Sequence, residues 1–153
     1  MKKWPITVVW LCLASAFFAA APIEQTNAAV RFKVFDIYLD SDQEILAAYQ
    51  LEWTDESGKA KIVGVEGGDY AAFKVPPYYD PKAMQQERVI LAAFSTAGAE
   101  LLPHGKTRVA TIHVQLSGDA ALDPLVKNAR GATPSGKKIT VNATCLEREV
   151  KFE

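Results

Sequence analysis

With two cysteines, two histidines and no phosphate-binding P-loop, this 153-residue chain has little of what catalytic and metal centres are made from. Cys12 lies inside the N-terminal apolar run. Once that run is removed Cys145 stands alone, and no intrachain disulfide can form. Cys145 sits in an apolar strand pattern, which suits a buried, inert thiol. His104 falls in a loop and His113 on the wet face of a strand, and two histidines without a cysteine partner make a poor zinc site. Neither G-x-S-x-G nor H-E-x-x-H occurs. There is no internal repeat and no low-complexity tract. Charge of one sign is lacking too, with 17 Lys and Arg against 18 Asp and Glu, a net of −1. Lys and Arg are scattered among acids, whereas nucleic-acid binders carry a clustered basic face. Nucleic acid and anionic membranes are therefore not expected partners, and no cofactor is expected.

The N-terminus has a recognisable layout. Met1, Lys2 and Lys3 are followed by an apolar stretch from Ile6 to Ala21, broken by Thr7 and Ser15, with small residues at its exit. This is the pattern of a secretory signal, and the run is shorter than the ~20 residues a spanning helix needs. Ala14-Ser15-Ala16, Ala19-Ala20-Ala21 and Thr26-Asn27-Ala28 all fit the cleavage pattern. Cleavage is expected after Ala21 or Ala28, giving residues 1–28 as signal and 29–153 as one domain, rather than retention as an anchor. The expected location is secreted, periplasmic or cell-surface, with no membrane contact after cleavage. Loss of Lys2, Lys3 and Glu24 leaves 15 basic and 17 acidic residues, still near neutral. A chain of this length buries roughly two-thirds of its unfolded surface and needs no staple.

Beyond the signal, apolar residues recur with a period of two. Ala47, Tyr49, Leu51 and Trp53 alternate with Ala48, Gln50, Glu52 and Thr54, a strand with one wet face and Trp53 in the core. Ala110, Ile112, Val114 and Leu116 alternate with Thr111, His113 and Gln115. Lys61 to Val65 is a short strand after the turn Asp55–Lys59. Arg88 to Phe94 is apolar on both faces and reads as a central strand. In the first strand, Val30, Phe32 and Val34 give way to Phe35, Ile37 and Leu39, a phase shift that implies a bulge. Ile139 to Leu146 reads as one strand, with a continuation at Val150 and Phe152. Leu122 to Ala129 reads as a helix or a strand. Asp80 before Pro81 signals a helix cap for one turn through Ala83 and Met84. Seven to nine strands with one or two helical turns imply an all-β chain, a single β-sandwich of jelly-roll or immunoglobulin-like type.

Two acidic groups invite a chemical reading. Asp40-Ser41-Asp42-Gln43-Glu44 opens like a calcium loop, but Ile45 replaces its glycine and Leu51 its closing glutamate, so a solvated turn is expected. Glu52, Asp55 and Glu56 lie at a strand end and in a polar turn, not across a cleft as a glycosidase requires. No enzymatic activity is expected. Asn142-Ala143-Thr144 is a glycosylation sequon, relevant only in a eukaryote.

The long segment from Glu66 to Pro81 is unusual for its aromatics: Tyr70, Phe73, Tyr78 and Tyr79. Such rings anchor interfaces or pack against sugars, and they also fold back to cover a sheet edge. As a binding site, Tyr78 and Tyr79 would be the contacts, carried on an arm stiffened by Pro76 and Pro77, with Tyr70 and Phe73 in support.

The segment order Leu46-Ala47-Ala48-Tyr49-Gln50-Leu51-Glu52-Trp53, Ile62-Val63-Gly64-Val65-Glu66-Gly67-Gly68, Val89-Ile90-Leu91-Ala92-Ala93-Phe94 and Gly105 before Val109-Ala110-Thr111-Ile112-His113-Val114 resembles bacterial cohesin-type domains. The resemblance covers Val30 to Leu116 and implies a jelly-roll sandwich related to cellulose-binding modules. It implies non-catalytic binding of a dockerin-type protein partner or of polysaccharide. The proline-rich Val75–Pro81 and the charged tail after Leu146 depart from that pattern. A self-associating structural or envelope-assembly protein is the alternative, since open sandwich edges pair with other chains unless protected.

Overall fold

The computed structural model describes residues 29–149. The expected signal, 1–28, and the strand continuation at Val150 and Phe152 lie outside the described residues. Eight strands follow in order: β1 (Val30–Asp40), β2 (Ala48–Asp55), β3 (Lys61–Gly67), β4 (Arg88–Phe94), β5 (Lys106–Ser117), β6 (Pro124–Ala132), β7 (Lys138–Ile139) and β8 (Asn142–Arg148). They form two antiparallel sheets, β3-β5-β1-β8 and β4-β2-β6-β7, packed as an all-β sandwich. Only the β6–β7 connection stays in one sheet; every other one crosses to the opposite sheet.

The alternating strands bury the face their pattern implies. Tyr49, Leu51 and Trp53 of β2 meet Ile112, Val114 and Leu116 of β5 in a core completed by Phe35, Ile37, Leu39, Ile62, Leu91 and Phe73. Trp53 is fully enclosed and packs on Phe35, ring centroids 5.9 Å apart. Each such side chain contributes about 1.5–3 kcal/mol through burial. The cap at Asp80 is formed as expected, its carboxylate accepting from the Lys82 amide at 2.9 Å ahead of a 3-10 turn over Pro81–Ala83.

Three segments depart from their sequence reading, and a fourth, left open between helix and strand, is resolved. The β1–β5 ladder runs unbroken through Val34 and Phe35; the bulge lies further on, where Ile37 pairs with Ala110 and Tyr38 with Arg108, leaving Val109 over in β5. The freed Val109 carbonyl accepts from the Tyr49 hydroxyl at 3.0 Å. Val30 and Phe32 are therefore on the outer face, Phe32 being 61% exposed. Arg31 and Lys33 hold the inner side at the end of the sandwich, bonded to the Gly118 carbonyl at 2.9 Å and to Glu147 at 2.8 Å. Strand β4 is an edge strand, not a central one. The single strand expected over Ile139–Leu146 is two, β7 and β8, in different sheets. Leu122–Ala129 resolves as a strand, since β6 starts at Pro124.

Because the chain keeps crossing, its corners must be tied. Asp55 ends β2 and is buried. Its carboxylate accepts from the Ser57 hydroxyl at 2.7 Å, from the Lys59 and Ala60 amides at 2.9 and 2.8 Å, and from the Asp123 amide at 2.8 Å. One side chain thus fixes the β2–β3 turn and the entry to β6. Burial pushes its pKa up, but these donors outweigh that and leave the carboxyl below its usual range. After β3, Gly68 lies so close to β5 that a Cβ there would fall 2.0 Å from the Arg108 carbonyl oxygen. The Gly68 amide donates to the Phe73 carbonyl at 2.8 Å, which starts the long loop on a fixed course.

Asp55→Ala should lower the unfolding free energy by about 3 kcal/mol in urea titrations near pH 7, since buried donors lose a charged acceptor. A carboxyl whose folded pKa is depressed contributes its full stability above the unfolded value and loses it as pH falls through the folded one. The urea midpoint should therefore drop as pH falls below about 4, and drop less in Asp55→Ala. A midpoint that stays flat through that range would contradict the role given to Asp55.

Candidate functional site

The outer face of the β4-β2-β6-β7 sheet is built by register. In β4, Val89 and Leu91 point into the core, so Ile90, Ala92 and Phe94 point out. Past the buried Pro77, Tyr78 pairs with Ala92 along the free edge of β4, the two residues exchanging both backbone hydrogen bonds at 2.7 and 3.0 Å. Antiparallel partners share a face, and the diagonal neighbour two residues along is within reach of an aromatic ring. Tyr78 and Phe94 are such a diagonal pair. Their rings lie 6.1 Å apart, 11° from parallel, and are 70% and 63% exposed.

Two cross-strand rows run from these rings over the sheet. In one, Phe94 stands opposite Ala48, Ala48 opposite Ala132, and Ala132 opposite Lys138. In the other, Tyr78 stands opposite Ala92, Ala92 opposite Gln50, and Gln50 opposite Arg130. Each row begins with an aromatic ring, passes over small or neutral side chains and ends on a cation. The small residues leave a groove of about 580 Å³, floored by Ala48, Ala92 and Ala132 and bounded by Arg130 and Lys138. Next along the strands, Glu52 accepts from Arg88 at 2.6 Å and from Asn128 at 3.2 Å, and the Arg88 bond first of all holds its carboxyl below the usual range. Asn128 sits at a positive φ of 54° in a β6 bulge, a conformation asparagine tolerates.

The four aromatics of the long loop do not form one site. Tyr78 is on the surface described. Phe73 is 2% exposed and packs edge-on against Tyr49, centroids 5.2 Å apart, so it is a core residue and no support for a ligand. Tyr79 is half-buried against the core. Tyr70 lines a separate depression with Ala72, Ser95 and Leu101. The arm at Pro76–Pro77 is pinned to the sandwich and adds Tyr78 to the edge of β4. Phe94, Arg130 and Lys138 escape a reading by local pattern; the second apolar face of β4 was the available signal.

The opposite outer face holds more charge, and there it is spent internally. Asp36 accepts from Thr111 at 2.8 Å and from Arg148 at 2.9 Å, while Arg108 reaches Asp36 at 3.3 Å and Asp69 at 3.0 Å. Burial pushes the Asp36 carboxyl up; Arg148, Thr111 and Arg108 together bring it below its usual range. The cluster ties β1, β5 and β8 together, its two carboxylates bonded to its two guanidiniums.

No protein-family model matches the chain, and neither does a curated protein or a solved structure.

Truncation should separate the rings. Phe73→Ala should cost about 3–5 kcal/mol of stability, as for any core aromatic. Tyr78→Ala should cost about 1 kcal/mol or less, the worth of an exposed ring pair. Equal losses in urea titrations would mean that Tyr78 is packing rather than presented.

Proposed function

We propose that the chain is an exported, non-catalytic binding module, cohesin-like, that engages polysaccharide or a dockerin-type protein partner through the outer face of the β4-β2-β6-β7 sheet. The observation that carries this is the Tyr78–Phe94 pair. Two large rings stand in water, fixed by a backbone bridge on a rigid sheet and beside an open groove. Preordered aromatics lose little entropy on binding and are typical anchors. The same rings, left in water, contribute little to folding. The carboxyls of Glu52 and Asp55 both lie below their ordinary range, opposite to what a general acid for glycoside cleavage needs.

The test is retention of the protein by insoluble polysaccharides and, in parallel, a pull-down from the secreted fraction of its source. Tyr78→Ala with Phe94→Ala should weaken whichever interaction is found by about 2 kcal/mol or more, about thirtyfold. Retention of nothing in both assays would remove this reading.

A second reading, self-association, is favoured by the apolar pair at the start of β1, Val30 and Phe32, both exposed on the outer face of the β3-β5-β1-β8 sheet. Exposed apolar side chains grouped on a sheet face suit contact with a second copy. Sedimentation equilibrium should then show association that Phe32→Lys abolishes; a monomer at high concentration excludes it.

A further inference from the structure

We infer that the ligand of this face is an anionic polysaccharide, one whose sugar rings carry carboxylates; the inference rests on the binding-module reading above. Arg130 and Lys138 are the reason. Both border the groove, each closing one of the rows that start at Tyr78 and Phe94. Neither joins an ion pair among the described residues; Lys59, Lys61, Lys74, Lys82 and Lys106 join none there either, but of these cations Arg130 and Lys138 alone border the groove. No carboxylate lines the groove.

Ring and cation stand three strand spacings apart, about 14 Å. One compact ligand group cannot touch both ends, but an extended chain with a repeating ring and a repeating charge can. An apolar sugar face would lie on Tyr78 and Phe94, while a carboxylate further along the chain would take the paired N–H donors of Arg130 and the ammonium of Lys138. The alanine floor lets a ribbon-like polymer lie flat across the strands, and Gln50 offers a neutral donor and acceptor midway. A protein partner fits less well. Its interface would need an apolar centre with charge at the rim, whereas here the apolar rings stand at one border and the cations at the other. Nucleic acid would require a broader basic face than two cations supply.

The experiment measures affinity of the intact protein for polygalacturonate, for its fully methyl-esterified form and for neutral xylan, by titration calorimetry. Polygalacturonate should bind at least about tenfold more tightly than the ester, which keeps the sugar and removes the charge, and that preference should shrink with added salt. Arg130→Gln with Lys138→Gln should abolish the preference while leaving the urea midpoint unchanged. Equal affinity for the acid and the ester would overturn the inference and leave the binding-module reading standing. So would binding of xylan alone, or capture of a secreted protein with no polymer bound. Loss of the urea midpoint in the double variant together with unchanged polymer preference would overturn it as well, by making the two cations structural. Failure to retain any polymer or protein would remove both readings.

Discussion

Neither sheet of this protein can form alone, because the chain crosses between them at every connection except β6–β7. A strand is followed by its packing partner in the opposite sheet, not by its hydrogen-bonding neighbour. The backbone ladders therefore close only when the core closes, and pairings such as β1 with β8 span most of the sequence. Such non-local topologies fold slowly, since loop-closure entropy is spent before the contacts form. This puts unusual weight on the corners. Asp55 holds one turn and one strand entry with a single buried carboxylate, and Gly68 lets the long loop press against β5. Asp36 with its two arginines does the same work across three strands of the other sheet.

The two outer faces use charge differently. On the β3-β5-β1-β8 sheet, carboxylates and guanidiniums neutralise one another at hydrogen-bonding distance. On the other sheet Glu52 and Glu56 are matched with Arg88 and Lys127 at one end of the strands, and the outer face at the Phe94 end carries aromatic rings, alanines and two cations that join no ion pair among the described residues. The rings are tolerable there because Tyr78 also protects the edge of β4, satisfying an amide and a carbonyl that would otherwise be open to another chain. The same backbone bridge thus protects the edge and holds the two rings together in water.

How much of this could be read in advance differs from segment to segment. In β2 and β5 the alternation has one apolar side, so burial follows directly, and Trp53 falls in the core as its phase requires. The Asp80 cap is a contact between near neighbours and was equally legible. In β4 both sides are apolar, which fits a central strand and an edge strand with an exposed apolar face alike. The wet second face of β2, with Gln50 and Glu52, held the clue, since β4 lies beside β2 and shares that face. In β1 the charged side, Arg31 and Lys33, turned inward because the sandwich ends there and both side chains find partners. Tyr78 was recognisable as an exposed aromatic, but Phe73 in the same loop was not distinguishable from it.

Local chemistry along the chain thus determined that the protein is all-β, where most of its strands lie, and which residues turn the chain. Those properties depend on a period of two and on contacts a few residues apart. The tertiary structure alone decided that β4 is an edge, that Phe94 and Tyr78 stand together, and that Arg130 and Lys138 face them across one sheet. The alternation of a strand says that two sides differ; which side is covered depends on a sheet contributed by residues far away in sequence.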